Sequence, residues 1–194
     1  MFSISAVGVH AATPPGTETN EKVIHLEDAK IVSQSPKVDL PSDNPNIKKY
    51  QVTTVYDNGI KTVDVMIDEK IVPSKPSSSD LLSASLASSA QRVRLETDCS
   101  FYGSGDIKVA YVRAVGLFEY IAGSSVRVIT TYGTGITPVD NRLFDYSCQD
   151  SVGYWMWNAY VDAKYTYRIN ADGIASLPNS GKVTVGCDKY GNRV

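Results

Sequence analysis

The chain has 194 residues, an apolar share of 42% and a formal net charge of −2. This length can hold one sizeable core, and the nearly balanced charge argues against a nucleic-acid partner. The composition changes near residue 90: seven of the nine prolines precede residue 91, whereas ten of the twelve tyrosines and both tryptophans follow it. We therefore expect the core in the second half.

Residues 1–12 form an apolar stretch with small side chains, ahead of a polar segment. Val9 and Ala11 are small enough for a signal peptidase, so cleavage after Ala11 or Ala12 is expected, although no Lys or Arg precedes Lys22. The stretch predicts a signal-peptide remnant and a secreted, extracellular protein; the alternative is an ordinary N-terminus. No later apolar run approaches the roughly 18 residues that span a bilayer, so no transmembrane segment is predicted.

Two segments before residue 91 are polar and lack a sustained period. Residues 13–48 are rich in Pro, Ser, Asp, Asn and Lys, which predicts a disordered tether. Residues 73–90 are rich in Ser, which predicts a flexible linker or a short helix capped by Asp80.

Between these segments, residues 49–72 carry the strongest local signal. Two alternating runs, 49–56 and 61–68, flank Asn58 and Gly59, which tolerate the positive φ of a tight turn. This predicts a β-hairpin. Because a lone hairpin is marginally stable in water, it must pack on something, extend a sheet or fold with a partner.

Residues 91–194 alternate apolar and polar residues in short runs separated by glycine-containing turns. This spacing predicts an all-β domain, an antiparallel β-sandwich that is Ig-like in general shape. The predicted strands lie near Arg92–Phe101, Asp106–Val112, Val115–Ile121, Ser125–Tyr132, Arg142–Cys148, Gly153–Val161, Tyr165–Asn170 and Lys182–Asp188.

The predicted strand 153–161 holds both tryptophans. A period of two separates its side chains into a core face and an opposite face. The predicted core face holds Trp155, Trp157, Ala159 and Val161, and the opposite face holds Tyr154, Asn158 and Tyr160. Exposed tyrosines suit sugar faces or protein partners, although tyrosine is also common in strands. The candidate binding residues are Tyr154, Tyr160, Tyr102 and Tyr132.

The three cysteines, Cys99, Cys148 and Cys187, fall at positions that alternate with apolar residues. In an exported protein one disulfide and one free thiol are expected. Cys148–Cys187 is the first choice, but spacing leaves the connectivity open, and three buried reduced thiols are the alternative. No Cys-x-x-Cys pair or nearby His is present, so no metal site is predicted.

Catalysis and cofactor binding have little support in the sequence. Both histidines, His10 and His25, lie before the predicted domain, so a Ser or Cys nucleophile there lacks a histidine base. Carboxylates could form a glycosidase pair, but Lys and Arg alternate with them, which favours cross-strand charge pairs on an exposed face. The acidic candidates are Glu96, Glu119, Asp140, Asp145, Asp150 and Asp162.

Three runs, at residues 115–128, 154–157 and 183–192, resemble those of small exported β-proteins of Gram-positive bacteria. The resemblance covers residues 100–192 and implies export and a compact β-sandwich. No activity is established for that group, so it implies no catalytic or binding residue.

The leading hypothesis is a secreted, non-enzymatic binding module without a cofactor, whose surface binds a cell-wall glycan, another cell-envelope polymer or a protein. One alternative is a secreted hydrolase of carboxylate type. Another is a toxin-like or immunity-like protein whose hairpin docks on a partner by strand addition.

Overall fold

The computed structural model describes residues 24–72, 90–131, 135–138, 143–171, 174–175 and 179–194. The predicted signal remnant, the first part of the predicted tether and nearly all of the predicted linker lie outside these residues.

The described residues form thirteen strands and two short 3-10 helices, at Leu26–Asp28 and Ser104–Asp106. The strands are β1 (Ile24–His25), β2 (Ile31–Gln34), β3 (Val38–Leu40), β4 (Ile47–Tyr56), β5 (Lys61–Ile71), β6 (Ala90–Tyr102), β7 (Lys108–Ile121), β8 (Ser125–Thr131), β9 (Gly135–Pro138), β10 (Leu143–Trp155), β11 (Asn158–Ala171), β12 (Ile174–Ala175) and β13 (Asn179–Asp188).

The strands form two sheets. The larger has eight strands in the order β2-β4-β5-β6-β7-β8, with β3 on β4 and β9 on β7. The smaller has five in the order β1-β13-β11-β10, with β12 on β11. Apart from the parallel pair of β1 and β13, the neighbouring strands are antiparallel. The predicted all-β fold with antiparallel sheets is confirmed, and the sheets pack as a sandwich.

The core lies between β6 and β7 of the larger sheet and β11 and β13 of the smaller sheet. Alternate residues of β6 face inward, as the period-two pattern predicts, and Leu95 and Phe101 are almost fully buried. The Phe101 ring lies 5.1 Å from the Tyr165 ring and 5.7 Å from the Tyr167 ring, between centroids. These aromatic contacts hold the two sheets together.

The predicted hairpin is confirmed as β4 and β5. Gly59 has φ +80°, and the Asn58 side chain accepts a hydrogen bond from the Ile60 amide at 3.1 Å. The hairpin is a continuous part of the larger sheet, because β5 pairs with β6 along its whole length.

Residues 24–48 differ from the disordered segment predicted for them. Ser33 and Gln34 of β2 pair with β4, and so do the residues of β3. These strands are short and mostly exposed, so their side chains show no alternation of buried and exposed positions for a sequence pattern to detect, and backbone hydrogen bonds to β4 hold them in place.

The larger sheet is wider than the smaller one. The smaller sheet packs mainly on β6, β7 and β8, so β4 and β5 extend beyond it. We call these two strands the overhang. Their inner faces line two cavities, and the side chain of Arg193 lines both.

Arg193 fastens the last described residues to the larger sheet. Its guanidinium donates to Asp68 Oδ1 at 2.7 Å, to Thr97 Oγ1 at 2.8 Å and to the carbonyls of Ile67 and Glu96 at 3.0 and 2.6 Å. Four acceptors on β5 and β6 are thus held by one side chain.

The predicted strand 153–161 is wrong. β10 ends at Trp155 and β11 begins at Asn158, so the chain reverses through a two-residue turn. Trp155 and Trp157 are 66% and 61% exposed, and neither faces the core. Ala159, beyond the turn, is fully buried as predicted. The period of two applies only within a strand, and the turn breaks it between the tryptophans and Ala159.

Candidate functional site

The turn between β10 and β11 carries an exposed apolar surface that we call the aromatic tip, formed by Tyr154, Trp155, Met156 and Trp157. These side chains are 60%, 66%, 81% and 61% exposed. Met156 has φ +54°, a left-handed conformation that costs a non-glycine residue about 1 kcal/mol. The tip is therefore apolar, exposed and strained at once.

A second turn, residues 188–192, packs beside the aromatic tip. The Lys189 ammonium lies 4.8 Å from the centroid of the Trp157 ring and 5.4 Å from that of Tyr190, which is 56% exposed. Both distances are within the range of a cation–π interaction. The tip thus gains a fifth exposed large apolar side chain and a positive charge.

The second turn is held in one shape by its own side chains. Asp188 Oδ1 accepts hydrogen bonds from the amides of Tyr190 and Asn192, both at 2.8 Å. Gly191 has φ +81°, and a Cβ there would lie 2.3 Å from the ring of Tyr120. Only glycine combines a favourable positive φ with the absence of a Cβ. The turn that carries Lys189 and Tyr190 is therefore rigid.

The aromatic tip is also fastened to the larger sheet. The Tyr154 hydroxyl accepts a hydrogen bond from the Val128 amide at 3.3 Å, and Thr131 Oγ1 donates to Asp150 Oδ2 at 2.6 Å. Both contacts join β8 to β10 across the edge of the sandwich. The surface is therefore largely pre-organised for binding.

The predicted grouping of Tyr154 with Tyr160 on one face is wrong, because Tyr154 lies opposite Ala159 and Tyr160 lies opposite Gly153, which puts the two tyrosines on opposite faces of the smaller sheet. Tyr154 is part of the tip, and Tyr160 follows on β11, where Asn158 donates to its hydroxyl at 3.0 Å and its ring covers Gly186. Tyr102 ends β6 in the other sheet, whereas the tip lies by the β7–β8 turn, next to the start of β6. Tyr132 lies outside the described residues.

Trp155 and Trp157 lie on the surface, whereas the alternating pattern predicts them in the core. A two-residue turn normally contains Asn, Asp or Gly, and Met156-Trp157 has none of these. Lys189 and the exposed Tyr190 were missed as well, because no local pattern connects the 188–192 turn with the β10–β11 turn.

The predicted cross-strand charge pairs are present on the outer face of the larger sheet. The Glu119 carboxylate accepts hydrogen bonds from Arg127 and Arg92, which lower its pKa. Arg113 binds Asp98 at 2.6 Å and also lies 3.3 Å from Glu96. A general acid needs a raised pKa, so these arginines do not suit Glu119 for that role.

The other acidic candidates lie apart from this network. Arg168 Nε lies 3.6 Å from Asp145 Oδ2, and Thr184 Oγ1 donates to Asp162 Oδ1 at 2.6 Å. Asp150 accepts the hydrogen bond from Thr131 described above, and Asp140 lies outside the described residues.

The predicted disulfide is wrong, because all three cysteines are free. Cys148 on β10 lies opposite Tyr165, and Cys187 on β13 lies opposite Ala159, so β11 separates them. Two strand spacings are about 9.6 Å, beyond the roughly 7 Å that a disulfide permits between Cα atoms. Cys99 is buried in the other sheet. Burial raises the pKa of the Cys187 thiol to about 12.

A cavity of about 360 Å³ lies between the overhang and β13. Asp64, Cys99 and Tyr165 line it. Burial raises the pKa of Asp64, and a hydrogen bond with the Cys99 thiol partly opposes that shift. The pKa of Cys99 is itself well above its usual value because the thiol is buried, so this thiol is a poor nucleophile.

The His, Cys, Asp and Glu residues of the described part of the chain form no group of three or more that could hold a metal ion. None of its helices has the length and apolar character needed to cross a membrane. Comparison with family models, curated proteins and solved structures finds no match. The resemblance to exported β-proteins stays a prediction.

Proposed function

We propose that this protein is a non-enzymatic binding module whose aromatic tip attaches it to a polysaccharide of the cell envelope. The observation that carries the proposal is the exposure of Trp155, Met156 and Trp157 on a strained turn. Leaving such side chains in water forgoes about 1.5–3 kcal/mol each relative to burial. Departures from local rules of this kind are expected at functional sites.

The chemistry of the aromatic tip supports a sugar ligand. A pyranose ring has a C–H face and a rim of hydroxyl groups, and aromatic side chains with polar neighbours match both. The indole rings of Trp155 and Trp157 supply apolar faces, while Lys189 and the Tyr190 hydroxyl supply hydrogen bonds to the rim. Because the tip projects from the sandwich, it suits a polymer lying across it better than a small molecule, which needs a concave site.

The proposal includes export to the cell surface or beyond, which the apolar residues 1–12 support. The two alternative functions have less support. Against the carboxylate-type hydrolase, Arg92 and Arg127 bind the Glu119 carboxylate. Against the toxin-like or immunity-like protein, both strands of the β4–β5 hairpin already have a neighbouring strand on their other side. The hairpin therefore has little free edge for strand addition.

Co-sedimentation with insoluble peptidoglycan, chitin and cellulose tests the proposal. We expect the wild type to sediment with at least one of them, and a Trp155→Ala/Trp157→Ala variant to lose at least about tenfold in affinity, as for central aromatic contacts. Tyr146→Ala is the matched control, because Tyr146 is a 47% exposed aromatic of β10 outside the tip.

The same variants separate binding from folding. Since both tryptophans are exposed, the double variant should keep the wild-type unfolding midpoint. Equal sedimentation of the double variant and the wild type would refute the proposal, and so would a loss of stability of the size seen for buried aromatics, about 3–5 kcal/mol. Binding to phosphatidylcholine vesicles without binding to any glycan would show a membrane-binding tip instead.

A further inference from the structure

We propose that the overhang carries a second binding site, a cleft that binds phosphate groups through Lys37, Lys48 and Lys70. The cleft lies on the inner face of β4 and β5, and residues 191–193, which adjoin the turn beside the aromatic tip, form its opposite wall. It stands whether or not the tip binds a polysaccharide.

The three lysines line one cleft together with Tyr50. The cleft measures about 470 Å³ and lies between the overhang and residues 191–193. Lys48 and Tyr50 are two residues apart on β4 and share a face, while Lys70 follows on the same face of β5. Lys37, just before β3, brings its ammonium to 3.3 Å from the centroid of the Tyr50 ring.

The negative charge in the cleft is already neutralised. Among the described residues that line it, Asp68 is the one acidic residue. Its carboxylate accepts hydrogen bonds from Arg193 and from the Tyr50 hydroxyl. Burial, followed by this hydrogen bond to Asp68, raises the pKa of Tyr50 to about 12, so the hydroxyl is neutral at physiological pH. The three lysines therefore leave an excess of positive charge.

Ion pairs neutralise several cations elsewhere on the described surface. On other faces, Lys61 pairs with Asp106 at 2.5 Å and Arg113 pairs with Asp98 at 2.6 Å. Within the described ranges, no ion pair involves Lys37, Lys48 or Lys70. Like charges brought together repel one another, and a bound anion would relieve that repulsion.

The cation type favours phosphate over carboxylate. Arginine binds a carboxylate in a planar, bidentate geometry. The one arginine that lines the cleft, Arg193, already donates to four acceptors. Lysine is a compact point charge that binds phosphate oxygens from any direction. The three ammonium groups therefore suit a phosphate group best.

The cleft continues into a neighbouring depression of about 500 Å³, which shares Lys37, Lys48 and Tyr50 with it. Lys49, Ser42 and Asn44 also line this depression, together with the acidic Asp39. The shared wall gives room for the remainder of a phosphate ester or a phosphodiester chain. The phosphate itself belongs in the cleft, away from Asp39.

Isothermal titration calorimetry with pyrophosphate tests the site. We expect saturable binding to the full chain that weakens as NaCl is raised, because salt screens the charges. Lys48→Ala and Lys70→Ala should each weaken binding about tenfold, as for a lost charge-assisted hydrogen bond. Lys164→Ala is the matched control: Lys164 is an exposed lysine of β11 in the other sheet, and its removal should leave the affinity unchanged.

A soluble phosphate compound and a phospholipid headgroup both present a phosphate group. A second experiment therefore measures binding to phosphatidylglycerol vesicles. Competition by pyrophosphate against vesicle binding would identify the headgroup as a source of the phosphate, and pyrophosphate binding alone would identify a soluble or polymeric source. Absence of pyrophosphate binding, or equal affinity in all three lysine variants, would overturn the proposal. The Trp155→Ala/Trp157→Ala variant should bind pyrophosphate as the wild type does, which keeps this test separate from that of the aromatic tip.

Discussion

Arg193 offers the sharpest test of how the two sheets are held together. Changing it to Ala removes the ion-paired hydrogen bond to Asp68, worth about 1.5–3 kcal/mol, and three bonds from the guanidinium to uncharged acceptors at roughly 1 kcal/mol each. The sum is about 5 kcal/mol. The side chains of Arg193 and Asp68 remain 13% and 22% exposed, so water replaces part of this loss. We expect Arg193→Ala to lower the free energy of unfolding by about 3 kcal/mol.

Urea denaturation followed by circular dichroism measures this loss, since both tryptophans are exposed in the folded protein and report poorly on unfolding. Arg127→Ala is the matched control. Arg127 also binds a carboxylate, that of Glu119, but its side chain is 69% exposed, so its loss should cost below about 0.5 kcal/mol. Arg193→Lys should fall between the two because it keeps one point charge. Equal losses in Arg193→Ala and Arg127→Ala would show that Arg193 does not fasten the sheets.

Two further predictions concern titratable groups. Without reductant, the denatured protein should show three alkylatable thiols by intact mass. In the folded protein at neutral pH, the half-buried Cys148 should react with the alkylating reagent before the two buried cysteines. An intact mass that shows a disulfide would contradict the structure. Burial raises the pKa of Asp64 above its ordinary value of 3.8, so the folded wild type should lose stability as pH rises from the unfolded-state value through the raised one. Thermal unfolding should show Asp64→Asn stabilised at neutral pH and level with the wild type in acid, whereas parallel pH profiles would refute this reasoning.

Local chemistry made part of the fold predictable. Asn58 and Gly59 identify a hairpin because their backbone preferences and the alternating runs on either side agree. Inward-facing positions of β6, such as Leu95 and Phe101, follow from the period of two. Such signals depend on neighbouring residues and need no knowledge of the whole sheet.

The candidate sites could not be predicted in the same way. The turn at Met156-Trp157 has no turn-forming residue, so the alternating pattern continues through it and places the tryptophans in the core. Arg193 binds Thr97 and the Ile67 carbonyl across 96 and 126 residues of chain. Contacts of that range depend on strand order, which no local pattern encodes.

The same long-range contacts bear on how the protein reaches its native state. β13 lies between β1 and β11, and residues 179–194 also bring Arg193 to the larger sheet. Loops of about a hundred residues must close before these contacts form, which makes topologies of this kind slow to fold. Until β13 joins, the apolar inner faces of β6 and β11 remain open to water and to other chains. The interval before closure is thus the stage at which this protein is most exposed to aggregation.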